Sequence, residues 1–407
     1  MPFVVEKNME KNYKSTMIAC FSGYIVQAIV NNFVPLLFVT FHTRYHIPLA
    51  QITLLVTFNF GIQLLVDLMS VTFVDKLGYR ASMVLAHAAS ALGLIALAVL
   101  PNVMGNAFVG ILISVVLYAI GGGLLEVLVS PVMEACPTPN KEAAMSLLHS
   151  FYCWGHVGVV LLSTLFFAVF GIDRWPVLAL LWAVIPLVNM FVFTRVPMAS
   201  LISEGEKGFS LGELFRQKLF WVFLLLMICA GASEQAVSQW ASTFAEQGLG
   251  VSKAIGDLAG PMLFAITMGT ARTIYGKFGD RIPLRKFIFG SGLLCLCSYL
   301  LISLSPVPAL SLVGCGICGF SVGILWPGTF SMASSAMPRG GTAMFALLAL
   351  GGDVGCGGGP TFVGLLSDAL GGDLHKGILC AIVFPLLMLG GVALYQKLSV
   401  TDDRGSR

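Results

Sequence analysis

The chain has 407 residues, 57% of them hydrophobic before its 45 glycines are counted, and only 11% charged, against about 25% in soluble domains. A mean hydropathy of +0.90 excludes a soluble enzyme and a disordered chain, because the average segment prefers hydrocarbon to water. A net charge of +3, from 23 Lys and Arg against 20 Asp and Glu, excludes nucleic acid as a partner, since phosphate binding needs clustered positive charge.

The mixed-charge start MPFVVEKNMEKNYK runs into an apolar stretch without a small-residue cleavage site, so an uncleaved first span is expected rather than a signal peptide. Stretches of membrane length lie near 16–41, 51–73, 81–100, 106–131, 145–170 and 175–194, then 219–244, 256–276, 286–305, 308–331, 341–369 and 377–396. Residues 195–218 form the only long polar stretch and read as a cytoplasmic linker with a short amphipathic helix. The expectation is an all-α membrane protein of twelve spans, with six-helix bundles at 1–194 and 219–407. If the N-terminus lies inside, outward loops carry only Arg44, Arg174, Lys253 and Lys376, and Arg272 falls within a span. The other 18 of 23 Lys and Arg then lie inward, which places both termini in the cytoplasm. No N-x-S/T sequon occurs, which fits a multi-pass protein of a bacterial inner (plasma) membrane. Nine cysteines, Cys315 and Cys318 among them, fall in apolar runs and read as small hydrophobes rather than metal ligands.

The two halves repeat. Asp75-Lys76-Leu77-Gly78-Tyr79-Arg80 after span 2 recurs as Asp280-Arg281-Ile282-Pro283-Leu284-Arg285 after span 8. Gln27 and Asn31 in span 1 are echoed by Gln235 and Gln239 in span 7, both pairs at i, i+4. Parallel repeats of this kind imply a pseudo-two-fold axis along the membrane normal.

Ionisable groups in hydrocarbon are costly and so are candidates for function. Four stand well inside spans: Glu126, Glu234, Arg272 and Asp353. Glu126 follows Gly121-Gly122-Gly123 and precedes Ser130-Pro131, so a close neighbouring helix and a loosened backbone let it face a cavity and exchange a proton; the alternative is a protonated Glu bonding a neighbouring helix. In span 5, His149, Tyr152 and His156 share a helical face at i, i+3 and i+7, with core packing as the other reading of each histidine. Span 7 carries Glu234, Gln235, Ser238, Gln239 and Trp240 within two turns, a set suited to hydroxyls and to the apolar face of a sugar ring; interhelical hydrogen bonding is the alternative. Arg272 is expected to snorkel to the cytoplasm, with an anionic substrate as its other partner. Trp326 stacks on solute or packs. Span 11, with Gly351-Gly352-Asp353-Val354-Gly355-Cys356-Gly357-Gly358-Gly359-Pro360, is expected to bend or unwind. Its freed carbonyls and Asp353 then hold a cation, or its glycines permit tight packing.

Twelve spans, a 6+6 repeat and the D-[RK]-x-[GP]-x-R loop in both halves make the chain similar to the major facilitator superfamily. The resemblance implies that Asp75, Arg80, Asp280, Arg281 and Arg285 form a cytoplasmic gate, each Asp capping a helix and pairing with an Arg. The family's glycine four residues before the Asp is Gly276 in the second half and Val71 in the first. Glu126-x-x-x-Ser130-Pro131 and His149-x-Phe151-Tyr152-x-x-Gly155 further resemble the E-x-x-x-N-P and Q-x-F-N-x-x-G motifs of the fucose:proton symporter branch, where a span-1 acid precedes a proline by four residues. Here Asn31 precedes Pro35, and asparagine does not titrate.

These readings lead to a secondary transporter that holds a small polar solute, a sugar as the lead, near the midplane between rocking halves. Proton symport is the expected drive, sodium being the other ion, with Glu126, Glu234, Asp353 and His149 as coupling groups. Substrate contacts are expected from Gln27, Asn31, Glu126, His149, Tyr152, Glu234, Gln235, Gln239, Trp240 and Trp326. No cofactor, metal or catalytic residue is expected, and the protein is read as a monomer. An efflux antiporter for amphipathic compounds and a non-transporting sensor are the alternatives.

Overall fold

A computed structural model describes residues 2–201, 208–241, 253–371 and 373–405. Every regular element among them is helical: α1 (Pro2–Asn32), a 3-10 turn (Val34–Leu37), α2 (Phe38–Tyr45), α3 (Leu49–Leu77), α4 (Tyr79–Val103), α5 (Ala107–Ala135), α6 (Lys141–Phe170), α7 (Trp175–Arg195) and α8 (Leu211–Arg216). There follow α9 (Lys218–Ser238), α10 (Lys253–Phe278), α11 (Leu284–Leu304), α12 (Pro308–Val322), α13 (Leu325–Ala336), α14 (Gly341–Ala369), α15 (Leu374–Cys380) and α16 (Val383–Gly405). Linker residues 202–207, the end of the seventh expected span at 242–244 and the side chain of Asp75 lie outside the described residues.

Among the described residues, ten helical stretches, from Tyr13–Leu37 to Leu374–Leu398, are long and apolar enough to cross a membrane. The stretches read as spans 2 and 8 are helical as well, in α3 and α10. Three expected spans are broken where a proline sits in the first turn of a new segment. Proline has no N–H to give and its ring clashes with the preceding turn. Pro35 thus divides α1 from α2, Pro327 follows the break between α12 and α13, and Pro385 follows that between α15 and α16. Span 7 is interrupted as well: α9 stops at Ser238, and Gln239 and Trp240 lie in a turn before Ala241, which is helical again. In the linker, α8 opens with a capping box in which the Ser210 backbone N–H and hydroxyl donate to the Glu213 carboxylate. These bonds to Ser210 hold the Glu213 carboxyl below the usual carboxylate range.

The chain forms two compact units, Met1–Pro139 with Phe151–Gly205 and Asn140–Ser150 with Glu206–Arg407. The first turns of α6 therefore belong to the second unit and the rest of the helix to the first. In the first unit α5 packs on α1, α3 and α4, and α4 also packs on α7. Its apolar core includes Phe33, Phe41, Tyr118 and Trp175, the last edge-on to Phe41 at 5.6 Å. In the second unit α9 packs on α13, α14 and α16, and α12 packs on α10 and α11.

The helix α3 inverts the pattern of a soluble bundle. On α3, Asn59, Gln63, Asp67 and Ser70 are buried while Phe60, Leu65, Leu68 and Met69 are exposed. Apolar side chains outside and polar ones inside are stable only where the surroundings are hydrocarbon.

The glycine-rich segment of α14 does not unwind; the helix runs unbroken from Gly341 to Ala369. A Cβ on Gly355 would collide with the Ile228 carbonyl oxygen, one on Gly231 with that of Gly352, and one on Gly359 would lie 2.6 Å from that of Ala232. α14 and α9 therefore meet backbone to backbone, and that contact offsets the poor helix propensity of glycine. Carbonyls kept within the helix do not form the cation cradle that unwinding would have released.

Gly357 is different, because a Cβ there meets nothing within 4 Å. Gly355→Val is expected to cost roughly 1–3 kcal/mol or more by overpacking, whereas Gly357→Ala should gain about 0.5–1 kcal/mol. Melting of the detergent-solubilised variants checks this; equal shifts for both would refute the packing account.

Candidate functional site

Each unit contains a polar cluster. In the first, the glycines of α5 point at three helices. A Cβ on Gly121 would collide with Ser90 of α4, one on Gly122 would lie 3.2 Å from Val30 of α1, and one on Gly123 would lie 3.0 Å from both Gln63 Cα and Val66 Cβ of α3. That closeness lets side chains of α1 and α3 reach Glu126 one turn later. Gln27 Nε2 donates to Glu126 Oε2 at 3.0 Å. Asn31 Oδ1, one turn on, accepts from Gln63 Nε2 at 2.8 Å and from Asn59 Nδ2 at 3.3 Å. Gly155 of α6 makes room against α1, where a Cβ would lie 3.0 Å from Ala28 Cβ. The same helix turns Tyr152 toward Asn31, Asn32 and Glu126. Gln27, Asn31, Glu126 and Tyr152, singled out in the sequence, are thus brought together, and Glu126 is half-buried.

The sequence reading missed the contribution of α3. Asn59, Gln63 and Asp67 recur every fourth residue, are 6%, 3% and 0% exposed, and bring a fifth ionisable group into the spans. A carboxylate oxygen of Asp67 lies within 4.8 Å of one of Glu126. The signal was present as a polar stripe at helical spacing in an otherwise apolar run.

The second cluster is a chain of hydrogen bonds. Gln239 Nε2 donates to Gln235 Oε1 at 3.1 Å, and Gln235 Nε2 donates to Glu234 Oε1 at 3.2 Å. Arg272 Nη2 lies 3.5 Å from Glu234 Oε2. Arg272 does not snorkel: it is 4% exposed, and its Nε donates to the Gly323 carbonyl at 2.8 Å and its Nη1 to the His149 carbonyl at 3.2 Å. A carboxylate and two carbonyls replace the hydration it would have sought at the cytoplasmic surface. His149 is buried with its ring 6.0 Å from that of Phe330. Trp326 lies edge-on to Phe330 at 6.3 Å and presses on Gly352. Trp240 follows the end of α9, and Asp353 lies half-buried on α14.

At the repeated loops the geometry differs between halves. Arg80 donates to the carbonyls of Phe193 and Val196 at 2.9 and 2.8 Å, closing the C-terminal end of α7. Asp280 accepts from Asn140 Nδ2 at 2.5 Å, so the partner seen here is an amide rather than an arginine. Asn140 also caps α6 through the Ala143 N–H at 2.8 Å. Gly276 permits the approach of this segment, because a Cβ there would lie 2.8 Å from Leu147 Cβ. Arg281 ends a 3-10 turn, and Arg285 stacks 4.9 Å over the Tyr395 ring.

The sequence profile of the Major Facilitator Superfamily matches residues 16–360. The chain belongs to the Major Facilitator Superfamily. It is therefore a multi-pass membrane protein of a family of small-molecule transporters. Among solved structures it resembles the E. coli fucose:proton symporter FucP in its outward conformation, at 16% identity, with 94% of this chain and 99% of that one covered and a TM-score of 0.82. It also resembles the proton:xylose symporter XylE, at 12% identity, with 95% and 96% covered and a TM-score of 0.78. These identities establish the shared fold alone. Membrane protein MosC of Rhizobium meliloti is 24% identical over 263 residues, 64% of this chain and 62% of that protein's length.

The pairing of Arg272 with Glu234 makes a double-mutant prediction. Arg272→Gln leaves a buried carboxylate uncompensated and should cost roughly 3–5 kcal/mol. Adding Glu234→Gln should recover part of that loss in thermal melting, whereas strictly additive losses would mean that the pair carries no coupling.

Proposed function

We propose that this protein is a secondary active transporter that moves a small polar solute, a sugar foremost, across a bacterial plasma membrane by alternating access, as a proton symporter. Twelve spans with both termini in the cytoplasm and action as a monomer complete the reading. The observation that carries it is the half-buried Glu126 carboxylate held by the Gln27 amide, with Asn31 and Tyr152 beside it. Amides and a phenol both donate and accept, and a carboxylate accepts, which together are the partners that sugar hydroxyls require. The Gln239–Gln235–Glu234 chain offers the same chemistry in the second unit. A group that exchanges a proton must also reach water, and the partial exposure of Glu126 supports it as the carrier. Glu234, paired to Arg272, is better suited to bind hydroxyls as a fixed acceptor. Asp353 and His149 remain the further coupling candidates, and Trp240 and Trp326 the aromatic ones. The proton-coupled sugar symporters among the structural neighbours support the same substrate class.

The test is thermal shift of the purified protein against hexoses, deoxyhexoses, pentoses, amino sugars, organic anions and lipophilic cations, because a ligand that binds the folded state raises its melting temperature. One sugar or a narrow group is expected to stabilise, with binding weakened about tenfold or more in Gln235→Ala. Stabilisation by lipophilic cations alone would instead support efflux. In proteoliposomes loaded with the stabilising sugar, Glu126→Gln should abolish accumulation driven by a pH gradient while leaving sugar exchange intact. Accumulation that survives the substitution would remove Glu126 as carrier.

A further inference from the structure

In an α-helix each carbonyl accepts from the N–H four residues on. For Gly323 that residue is Pro327, which has no N–H to give. Gly323 keeps helical dihedrals, φ −49° and ψ −41°, so its carbonyl still points along the axis toward the place that N–H would take. The next carbonyl, of Ile324, accepts from the Gly328 N–H at 2.8 Å, and the ladder resumes there. The gap falls at the C-terminal end of α12, where the aligned peptide dipoles gather partial negative charge. Burying such a carbonyl without a partner is costly, and a cation is the partner that both the carbonyl and the dipole favour.

Arg272 of α10 supplies it. Its Nε donates to the Gly323 carbonyl at 2.8 Å, its Nη1 donates to the His149 carbonyl at 3.2 Å, and its Nη2 lies 3.5 Å from Glu234 Oε2. Two carbonyls and a carboxylate, from three different segments of the chain, thus converge on one guanidinium that is 4% exposed. The backbone is shaped for this approach. A Cβ on Gly323 would lie 2.9 Å from both Ala271 Cβ and the Met268 carbonyl oxygen, so the glycine lets α12 settle against the turn that carries Arg272. From α6, the Ser146 hydroxyl holds the same turn by donating to the Arg272 carbonyl at 2.8 Å.

We propose that the break in span 10 forms a cation site and that Arg272 is its resident ion, tethered to α10. Carbonyls freed at a helix break, with a carboxylate beside them, are ligands by which discontinuous transporter helices hold sodium; here the chain fills the place itself. The site stands on the geometry. Its consequence for transport rests on the symport reading above: sodium entering the second unit would find these oxygens taken.

Thermal melting of the full-length protein in detergent, without added solute, tests the assignment. Arg272→Ala removes the ion and leaves its oxygens, so it should melt below the wild type. Millimolar methylguanidinium should then recover about half of the loss or more, while leaving the wild type unmoved. Methylurea, of the same shape but uncharged, should recover none, and the rescue should vanish when Glu234→Gln is added. Equal rises with the two compounds would mean a refilled cavity, and a rise that persists without the carboxylate would mean binding elsewhere; either result, or no rise at all, overturns the inference. If Arg272→Ala does not fold, Arg272→Lys and Arg272→Met carry the test. Lysine keeps the charge and should retain more of the wild-type melting temperature than methionine, whereas a site that only needs filling would favour methionine and overturn the proposal. Pro327→Ala checks the break separately, because it gives the Gly323 carbonyl an N–H: the loss caused by Arg272→Lys should shrink in that background, and an undiminished loss would overturn the role given to the break. No solute or gradient enters these measurements, so their failure would leave the transport reading to its own tests.

Discussion

A polar side chain facing hydrocarbon loses its hydrogen bonds to water, and nothing in the lipid replaces them. That cost orders this molecule. It turns Asn59, Gln63, Asp67 and Ser70 inward on α3 while leucines and phenylalanines of the same helix face out. It also binds Arg272 to one carboxylate and two backbone carbonyls rather than letting it stand alone. Once turned inward, such groups satisfy one another only if the helices come close enough for short side chains to meet.

Glycine supplies that closeness. Three consecutive glycines on α5 set it against α4, α1 and α3 in turn, and Glu126 follows where the Gln27 amide of α1 reaches it and the Asp67 carboxylate of α3 comes within 4.8 Å. On α14 the same residue type works along one face, bringing the backbone of α9 into contact, while a Cβ on Gly357 or Gly358 would meet nothing within 4 Å. Helix propensity alone would disfavour both segments, and packing outweighs it. Polar content and glycine spacing are thus two parts of one solution: buried hydrogen-bonding groups need near neighbours, and near neighbours need residues without a Cβ at the crossing.

The two units use their polar residues differently. In the first, the Gln27 amide donates to Glu126 and the Asn59 and Gln63 amides to Asn31, and the oxygens of Gln27 and Asn59 are buried acceptors without a hydrogen bond. In the second, Arg272 compensates Glu234, and the glutamines extend that acceptor toward the end of α9. The repeat that relates Gln27 and Asn31 to Gln235 and Gln239 in sequence has therefore diverged in chemistry.

Composition, apolar run length and the i, i+4 pairs determined the helical membrane class, the stretches that form spans and much of the first cluster, because burial in lipid restricts backbone and side chains so strongly that local pattern carries the information. Gln27, Asn31, Glu126 and Tyr152 were legible for that reason. The breaks at Pro35, Pro327 and Pro385 could have been read from the same rules, and Asp67 from its helical spacing. Tertiary structure alone decided the rest: whether the α14 glycines unwind or pack, which carbonyls and carboxylate receive Arg272, and that Asp280 meets the Asn140 amide. Each depends on which backbone lies opposite, and residues far apart in the chain, such as Arg272 with Glu234 or Gly355 with Ile228, hold no record of that in their own spacing.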